Sequence, residues 1–127
     1  MRAYVDSDVL IRHLRGDPRA ESLLRSMDKD PDVEFWIGAL QRAEILFFMK
    51  LSEERATRGL LSRFKTEPVT EQVVDAAAIL YRRWNPTHGI DVSDAILAAT
   101  VMTTGGKIVT LNVKHYPMPD VIVAQAW

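Results

Sequence analysis

Acidic residues border or interrupt the most apolar segments of this chain, which limits how it can fold. Four acids have this placement: Asp6 and Asp8 after the apolar run 3–5, Glu44 inside the run 40–48, and Asp94 before the run 95–99. A carboxylate that folding brings near a core must be neutralised, paired or bound to a cation. If these acids converge from distant parts of the chain, a metal site is the simplest explanation for them.

The composition indicates one soluble globular domain that spans residues 1–127. The chain is 47% hydrophobic and 26% charged, and its length suits one domain with a real core. The net charge of -1 predicts no overall attraction to polyanions. Binding to nucleic acid would therefore need local positive charge, such as that of Arg12 and Arg15.

The sequence also excludes several kinds of site and location. The absence of cysteine rules out disulfides, zinc-cysteine sites and a thiol nucleophile, and it suits a reducing compartment. No segment approaches the roughly 18 apolar residues that a membrane-spanning helix requires, and the first residues lack the apolar core of a signal peptide. We therefore expect a cytoplasmic protein with no membrane partner.

Strand-like and helix-like segments alternate along the chain. Short apolar runs predict strands at 2–5, 33–37, 107–111 and 121–124. Helical periodicity and capping residues predict helices between them: one capped by Ser7, one beginning at Asp17-Pro18, one at 40–51, one from Ser52 to about Phe64, one from Thr70 to Asn85-Pro86, and one near 94–103. This order predicts an α/β fold, with a mostly parallel twisted sheet of about four to five strands and helices on both faces.

The helix predicted at 40–51 is apolar nearly all round. Glu44 lies on its main apolar face, while Ile45, Leu46 and Met49 form a second apolar patch. Such a helix is either enclosed by the core or exposes one face to a partner. We therefore expect a subunit interface at this second patch.

The predicted sheet offers one place where the acids can meet. Ligands bind at the carboxyl ends of the strands in open parallel sheets, and Asp6 and Asn112 each follow a predicted strand. Asp91 and Asp94 share the first turn of a predicted helix, so they can reach the same edge. Glu44 lies on a helix that follows a strand, again near that edge.

Each acid also has an ordinary structural interpretation. Asp8 and Asp94 can interact with a helix dipole, and Asp91 can be a helix N-cap. Glu44 can form an ion pair with Arg12 or Arg42. The histidines show no metal-ligand spacing, so His13 is interpreted as part of a helix face, and His88 and His115 as loop residues.

With the other catalytic motifs absent, the sequence favours chemistry carried out by carboxylates. No serine nucleophile elbow, glycine-rich phosphate loop or dinucleotide fingerprint is present. Oxygen ligands without cysteine or paired histidine suit Mg²⁺, with Mn²⁺ as a substitute. Because Mg²⁺ commonly binds one or two carboxylates together with a substrate phosphate, the sequence favours a phosphate-bearing substrate.

Four blocks of the sequence, taken in order, resemble the signature blocks of PIN-domain ribonucleases, in particular the VapC-type toxins of toxin–antitoxin pairs. The blocks are residues 4–11, the Ala43-Glu44 segment, 88–90 with 93–100, and 109–116. The resemblance covers essentially the whole chain. It implies a PIN fold, a Mg²⁺-dependent endoribonuclease that cleaves RNA, a homodimer, and inhibition by a small cognate antitoxin.

The resemblance also implies roles for individual residues. Asp6, Glu44 and Asp94 match the acidic positions of the family, and Ser7 and Thr110 match its hydroxyl positions. Asn112 departs from the pattern, because many members carry a fourth acid there. We expect Asp6 and Asp94 to hold the ion, Glu44 to act through a water, and Asn112 to order the surroundings of the phosphate.

Two other functions remain open at this point. An apolar strand followed by Asp6-x-Asp8 also resembles the opening motif of haloacid-dehalogenase-like phosphatases, in which Asp6 would be the nucleophile and Asp8 the general acid. A PIN-fold protein that binds a partner without catalysis is the other alternative. Its acids would then be remnants or members of salt bridges.

Overall fold

Strand β1 (Arg2–Val5) lies at the centre of a five-stranded sheet in the computed structural model, which describes residues 1–127. The other strands are β2 (Glu34–Gly38), β3 (Lys65–Glu67), β4 (Lys107–Thr110) and β5 (Ile122–Gln125). Their order is β3-β2-β1-β4-β5, and every neighbouring pair is parallel. The predicted α/β architecture, with a mostly parallel sheet, is confirmed.

Six helices cover the two faces of this sheet. They are α1 (Ser7–Leu14), α2 (Pro18–Asp28), α3 (Ala39–Phe48), α4 (Glu54–Leu61), α5 (Glu71–His88) and α6 (Val92–Thr104), with single 3-10 turns at Leu51–Glu53 and Val113–His115. None of them has both the length and the apolar character needed to cross a membrane.

The sheet lies between two hydrophobic cores, and β1 contributes side chains to both. Tyr4 packs with α5 and α6, while Val5 packs with α1, α3 and α4. Residues 3–5 are fully buried, as expected for the central strand of a sheet covered on both faces. This double burial explains why the strand is a continuous apolar run and fixes the position of Asp6 directly after it.

Several helix boundaries differ from the sequence prediction. The helix predicted at 40–51 ends at Phe48, and the one predicted from Ser52 begins at Glu54 after a 3-10 turn. Asp6, rather than Ser7, is the N-cap of α1, and Ser7 is the first helical residue. Asn85-Pro86 does not end α5, which continues to His88 and ends at Gly89 in the left-handed conformation. Pro86 lies in the last turn of α5, so the hydrogen bond that it removes weakens only the end of the helix.

The exposed surface of α3 also differs from the prediction. Ile45 is a core residue at 4% exposure, and Leu46 packs partly against the same core, so the predicted second patch is not an open surface. The exposed apolar residues of α3 are instead Phe47 and Phe48, at 78% and 83%, and Leu51 in the following 3-10 turn is 87% exposed. A helix with apolar residues on most sides carries no periodicity that identifies its inward face.

Replacing Leu97 by alanine tests the packing that supports the site. Leu97 is fully buried in α6, so we expect Leu97→Ala to lower the free energy of unfolding by about 2–5 kcal/mol. Met102→Ala, on the exposed side of the same helix, should change it by less than about 1 kcal/mol. Urea denaturation followed by circular dichroism measures both, and equal effects would contradict the assignment of the inward face.

Candidate active site at the carboxyl edge of the sheet

Asp6 lies where β1 ends and α1 begins, and it is 9% exposed. Its Oδ1 accepts a hydrogen bond from the Ser7 backbone N–H at 2.8 Å. Its Oδ2 accepts from the hydroxyls of Tyr116 at 2.7 Å and Thr110 at 3.0 Å. The carboxylate is therefore fixed at the edge of the sheet by three donors that carry no charge.

The pKa of Asp6 is raised to about 6, chiefly by burial and also by the nearby negative charge of Asp8. The hydrogen bonds from Tyr116, Thr110 and Ser7 favour the charged form and oppose this rise. Desolvation is the largest of these effects. Asp6 is thus a carboxylate whose negative charge the protein leaves without a compensating cation.

Asp8 links the first turn of α1 to the end of β4. Its Oδ2 accepts from the Leu111 backbone N–H at 3.1 Å and from Thr110 Oγ1 at 3.3 Å. Its Oδ1 is buried and has no hydrogen-bond partner. Burial raises the pKa of Asp8. Asp8 is in the first turn, as the dipole interpretation requires, but it also holds together two segments that are distant in the sequence.

Glu44 extends from the middle of α3 towards the first turns of two other helices. Its Oε2 accepts from Ser7 Oγ at 3.1 Å in α1, and its Oε1 accepts from Ser93 Oγ at 2.6 Å in α6. The ion pairs considered for Glu44 do not form, because Arg12 contacts Asp17 at 3.7 Å and Arg42 donates to Thr66 at 3.4 Å. Two serine hydroxyls hold this carboxylate instead.

Asp94 lies in the first turn of α6 and forms a reciprocal cap with Asp91. The Asp94 N–H donates to Asp91 Oδ1 at 2.7 Å, and the Asp91 N–H donates to Asp94 Oδ2 at 3.0 Å. Asp91 is therefore the N-cap, as its structural interpretation predicted. Burial raises the pKa of Asp94 to about 6. His115 Nδ1 is 3.5 Å from Asp94 Oδ2, while Asp94 Oδ1 accepts no hydrogen bond from the protein.

Asn112 lies at the rim of the site, two residues beyond the end of β4. Its backbone N–H donates to Thr110 Oγ1 at 3.0 Å, and its exposed side chain makes no hydrogen bond within the protein. The amide of Asn112 is therefore free to contact a ligand at the edge of the sheet.

Hydrogen bonds link acids from three separate parts of the chain at this edge. Hydrogen bonds run from Asp6 through Ser7 to Glu44, and from Glu44 through Ser93 to the turn that carries Asp94. Buried Tyr116 lies beside the group: burial raises its pKa, and the charges of the neighbouring acids act in the same direction. None of Asp6, Asp8, Glu44 and Asp94 forms an ion pair with arginine or lysine.

Three contacts of the site were not found from the sequence. The hydroxyls of Ser93 and Tyr116 bind Glu44 and Asp6, and His115, interpreted as a loop residue, faces Asp94. Ser93 stands next to Asp94 in the sequence, which is a usable signal. Nothing in the local pattern pairs Tyr116 with an aspartate 110 residues earlier.

The chemistry of the site suits a hard divalent cation. Buried carboxylate oxygens without a protein cation, including the unpartnered Asp8 Oδ1, are donors that Mg²⁺ or Mn²⁺ prefers. No three acidic or histidine side chains are close enough together to bind one ion directly. The donor set therefore fits Mg²⁺, which commonly takes one or two carboxylates and completes its coordination with waters.

Comparison with known proteins gives a consistent result. A sequence model of the PIN domain matches residues 3–119. Ribonuclease VapC10 of Mycobacterium tuberculosis is 38% identical over 115 residues, which cover 90% of this chain and 85% of that protein. Ribonuclease VapC19 of the same species is 34% identical over 118 residues, which cover 91% of this chain and 94% of that protein.

A solved structure with the same fold is VapBC2 from Rickettsia felis, bound to a DNA fragment from the promoter of the pair. It superposes with a TM-score of 0.81 at 17% identity, covering 98% of both chains. At this identity the match is evidence for the fold only.

The raised pKa values predict how stability depends on pH when chelator is present. Folding raises the pKa of Asp94 above its ordinary value of 3.8, so the folded state binds more protons between pH 4 and 6, and its stability falls as pH rises through that range. Asp94→Asn removes this dependence. We expect the variant to gain on the order of 1–3 kcal/mol relative to the wild type at pH 7, and little at pH 4.

Thermal and urea unfolding across this pH range measure the difference. Asp75→Asn, an exposed acid on α5, is the control and should give a difference close to zero at every pH. A gain for Asp94→Asn that is constant or shrinks with rising pH would show that burial does not disfavour the Asp94 charge.

Proposed function

This chain belongs to the PIN-domain family, as a VapC-type ribonuclease of a toxin–antitoxin pair, and on that premise we propose that it cleaves RNA at the carboxylate site with a bound divalent cation. The observation that carries the assignment is the chain of hydrogen bonds through Ser7 and Ser93 that links Asp6, Glu44 and the turn of Asp94, none of which has an arginine or lysine partner. Mg²⁺ is the proposed ion, and Mn²⁺ its substitute.

We assign direct binding of the ion to Asp6 and Asp94. Asp94 Oδ1 accepts no hydrogen bond from the protein, and Asp6 Oδ1 accepts only one, from Ser7. Both oxygens therefore keep lone pairs for a cation. When bound, the ion would supply Lewis-acid chemistry, neutralising charge on the phosphate and lowering the pKa of a water.

The remaining residues position the reactants. Glu44 is held at both oxygens by Ser7 and Ser93, and we assign it the orientation of a water near the ion. Asn112 has a free amide at the rim and is placed to donate to a phosphate oxygen. Thr110 donates to Asp6 and accepts from the Asn112 N–H, so it couples the rim to the centre of the site.

The phosphatase alternative is not supported by the contacts of Asp8. A general acid must carry a proton and deliver it to a leaving group. Asp8 Oδ2 instead accepts from Leu111 N–H and Thr110 Oγ1, and its Oδ1 is enclosed without a partner. The non-catalytic alternative conflicts with the two related ribonucleases of similar length.

We further propose two protein partners: a small antitoxin and a second copy of this chain. The antitoxin follows from the membership of the family, whose solved relatives include complexes of toxin with antitoxin. For the homodimer we propose the face formed by α5 and α6. A groove of about 280 Å³ there is lined by seven hydrophobic residues and Arg82, and Val74, at 47% exposure, is among them.

Removing the central carboxylates should abolish cleavage without unfolding the protein. We expect Asp6→Asn and Glu44→Gln each to lower the rate of Mg²⁺-dependent RNA cleavage at least about 100-fold, because each removes charge or positioning at the reacting centre. Ser93→Ala, which removes one hydroxyl that holds Glu44, should cost about 10–100-fold. Gel assays on total RNA and on an unstructured RNA, with and without chelator, measure these rates.

Asp6→Asn, purified in the same way as the wild type, controls for contaminating nuclease, and Asp75→Asn, which substitutes an exposed acid, should keep the wild-type rate. Wild-type cleavage by Asp6→Asn, or wild-type cleavage that persists in chelator, would refute the proposed site.

The proposed dimer face is tested by adding a charge to it. Val74→Arg places a cation in the apolar groove of α5 and α6, so we expect a monomer at micromolar concentration by analytical ultracentrifugation. Ile79→Arg, on the same helix at 65% exposure but outside the groove, is the matched control and should remain dimeric. A wild-type monomer would contradict the dimer, and dissociation by both variants would contradict its location.

A further inference from the structure

Gln41 is almost completely buried, at 1% exposure, although a side-chain amide is costly to remove from water. It lies in the first turn of α3, three residues before Glu44, and therefore on the same side of the helix. Its Nε2 donates to Ser93 Oγ at 3.0 Å. Its Oε1 is buried and has no hydrogen-bond partner. The burial of this amide thus costs stability, and only the bond to Ser93 offsets that cost.

The bond from Gln41 determines the direction of the next hydrogen bond. A side-chain NH2 group can only donate, so Ser93 Oγ must accept from Gln41. Ser93 has a single hydroxyl proton, which therefore points away from Gln41 and towards Glu44 Oε1 at 2.6 Å. The three side chains form a hydrogen-bond relay with one polarity, from Gln41 through Ser93 to Glu44.

The opposite orientation of the amide would reverse this polarity. Gln41 Oε1 would then accept the Ser93 proton, and no hydrogen would lie between the oxygens of Ser93 and Glu44, 2.6 Å apart, unless Glu44 were protonated. Ser7 donates to the other oxygen of Glu44 at 3.1 Å. The orientation in the structure therefore suits an ionised Glu44 that accepts hydrogen bonds at both oxygens.

Gly38 provides the space that the Gln41 amide occupies. Its φ of -73° is accessible to every residue, so the backbone at this position does not require glycine. A Cβ there would clash with Gln41 Oε1 and would lie 3.2 Å from Leu97 Cδ1. The amide is thus enclosed at the N-terminus of α3, and its only hydrogen bond is the one to Ser93.

From these contacts we propose that Gln41 is a positioning residue of the cleavage reaction, which fixes the Ser93 hydroxyl as a donor to Glu44. The inference rests on the ribonuclease function proposed above and adds to it a residue that contacts neither the ion nor the RNA. Glu44 is only partly buried, whereas Gln41 is inaccessible, so Gln41 acts through Ser93. Glu44 thereby keeps the charge and the orientation that it needs to accept a hydrogen bond from a water.

Replacing Gln41 by methionine removes the amide and keeps a side chain of similar length and flexibility. We expect Gln41→Met to lower kcat for Mg²⁺-dependent cleavage about 10-fold and to leave KM within about twofold, since Gln41 does not contact RNA. The midpoint of urea unfolding should stay the same or rise, because the unpartnered oxygen is lost as well. Gln72→Met, which substitutes an exposed glutamine of α5, is the matched control and should change none of these quantities.

A double-mutant cycle with Ser93 distinguishes positioning from a general effect on packing. If Gln41 acts only through the Ser93 hydroxyl, its loss should cost nothing further once that hydroxyl is absent. We therefore expect the double variant Gln41→Met, Ser93→Ala to cleave within about threefold of Ser93→Ala alone. A double variant about 10-fold slower than Ser93→Ala, as independent effects predict, would overturn the proposal. Gln41→Leu repeats the cycle with a second apolar side chain and replaces Gln41→Met if that variant does not fold.

Nuclear magnetic resonance provides a readout that does not depend on cleavage. The chain has five side-chain amides, from three glutamines and two asparagines, so the NH2 signal of Gln41 is identified by its loss in Gln41→Met. We expect Ser93→Ala to shift this signal and to speed its exchange with solvent, because the acceptor is removed. Glu44→Gln should also shift it, through Ser93. Asp75→Asn, at an exposed position on α5, should leave it in place.

These outcomes separate the relay from the catalytic assignment. If Gln41→Met cleaves RNA at the wild-type rate, the relay is wrong even though the site cleaves RNA. The relay is also wrong if the Gln41 signal responds to neither Ser93→Ala nor Glu44→Gln. Wild-type cleavage by Asp6→Asn would instead refute the catalytic site, and the Gln41 signal would still show whether the relay exists.

Discussion

Neutral hydroxyl groups, rather than cations, hold the buried acids of this protein. Thr110 and Tyr116 donate to Asp6, while Ser7 and Ser93 donate to Glu44. These bonds fix the orientation of each carboxylate and leave its charge in place. A lysine or arginine would have stabilised the fold more directly, but it would have occupied the position that a divalent ion requires. The network therefore favours ion binding at the expense of stability in the ion's absence.

Three helices bring these hydroxyls and acids together at one edge of the sheet. The first turns of α1 and α6 both face Glu44, since Ser7 and Ser93 are at their N-termini. The positive ends of two helix dipoles therefore point at a cluster of negative groups. This arrangement offsets part of the repulsion between the carboxylates without adding a side chain that competes for a metal. The parallel sheet makes it possible: α1 starts at this edge because it follows β1, and α6 starts there because it leads back to the beginning of β4.

The sequence predicted those parts of the structure that depend on local signals. The buried run before Asp6 and the small-residue helix after Asp94 both have clear local patterns, and both formed as expected. The contact between Asp6 and Tyr116 spans 110 residues and leaves no local trace. The inward face of α3 was missed for a different reason. Its apolar residues surround the helix, so only packing against α1 and α6 determines that Ile45 is buried and Phe48 is exposed.

The strand order determines when the carboxylate site can form during synthesis of the chain. The central strand is made first, but one of its two neighbours, β4, begins only at Lys107, and Thr110 and Tyr116 follow it. A nascent chain that lacks these last segments has an unpaired central strand and an Asp6 without its two hydroxyl donors. The cleavage that we assign to this site therefore requires a chain that has been synthesised at least through Tyr116.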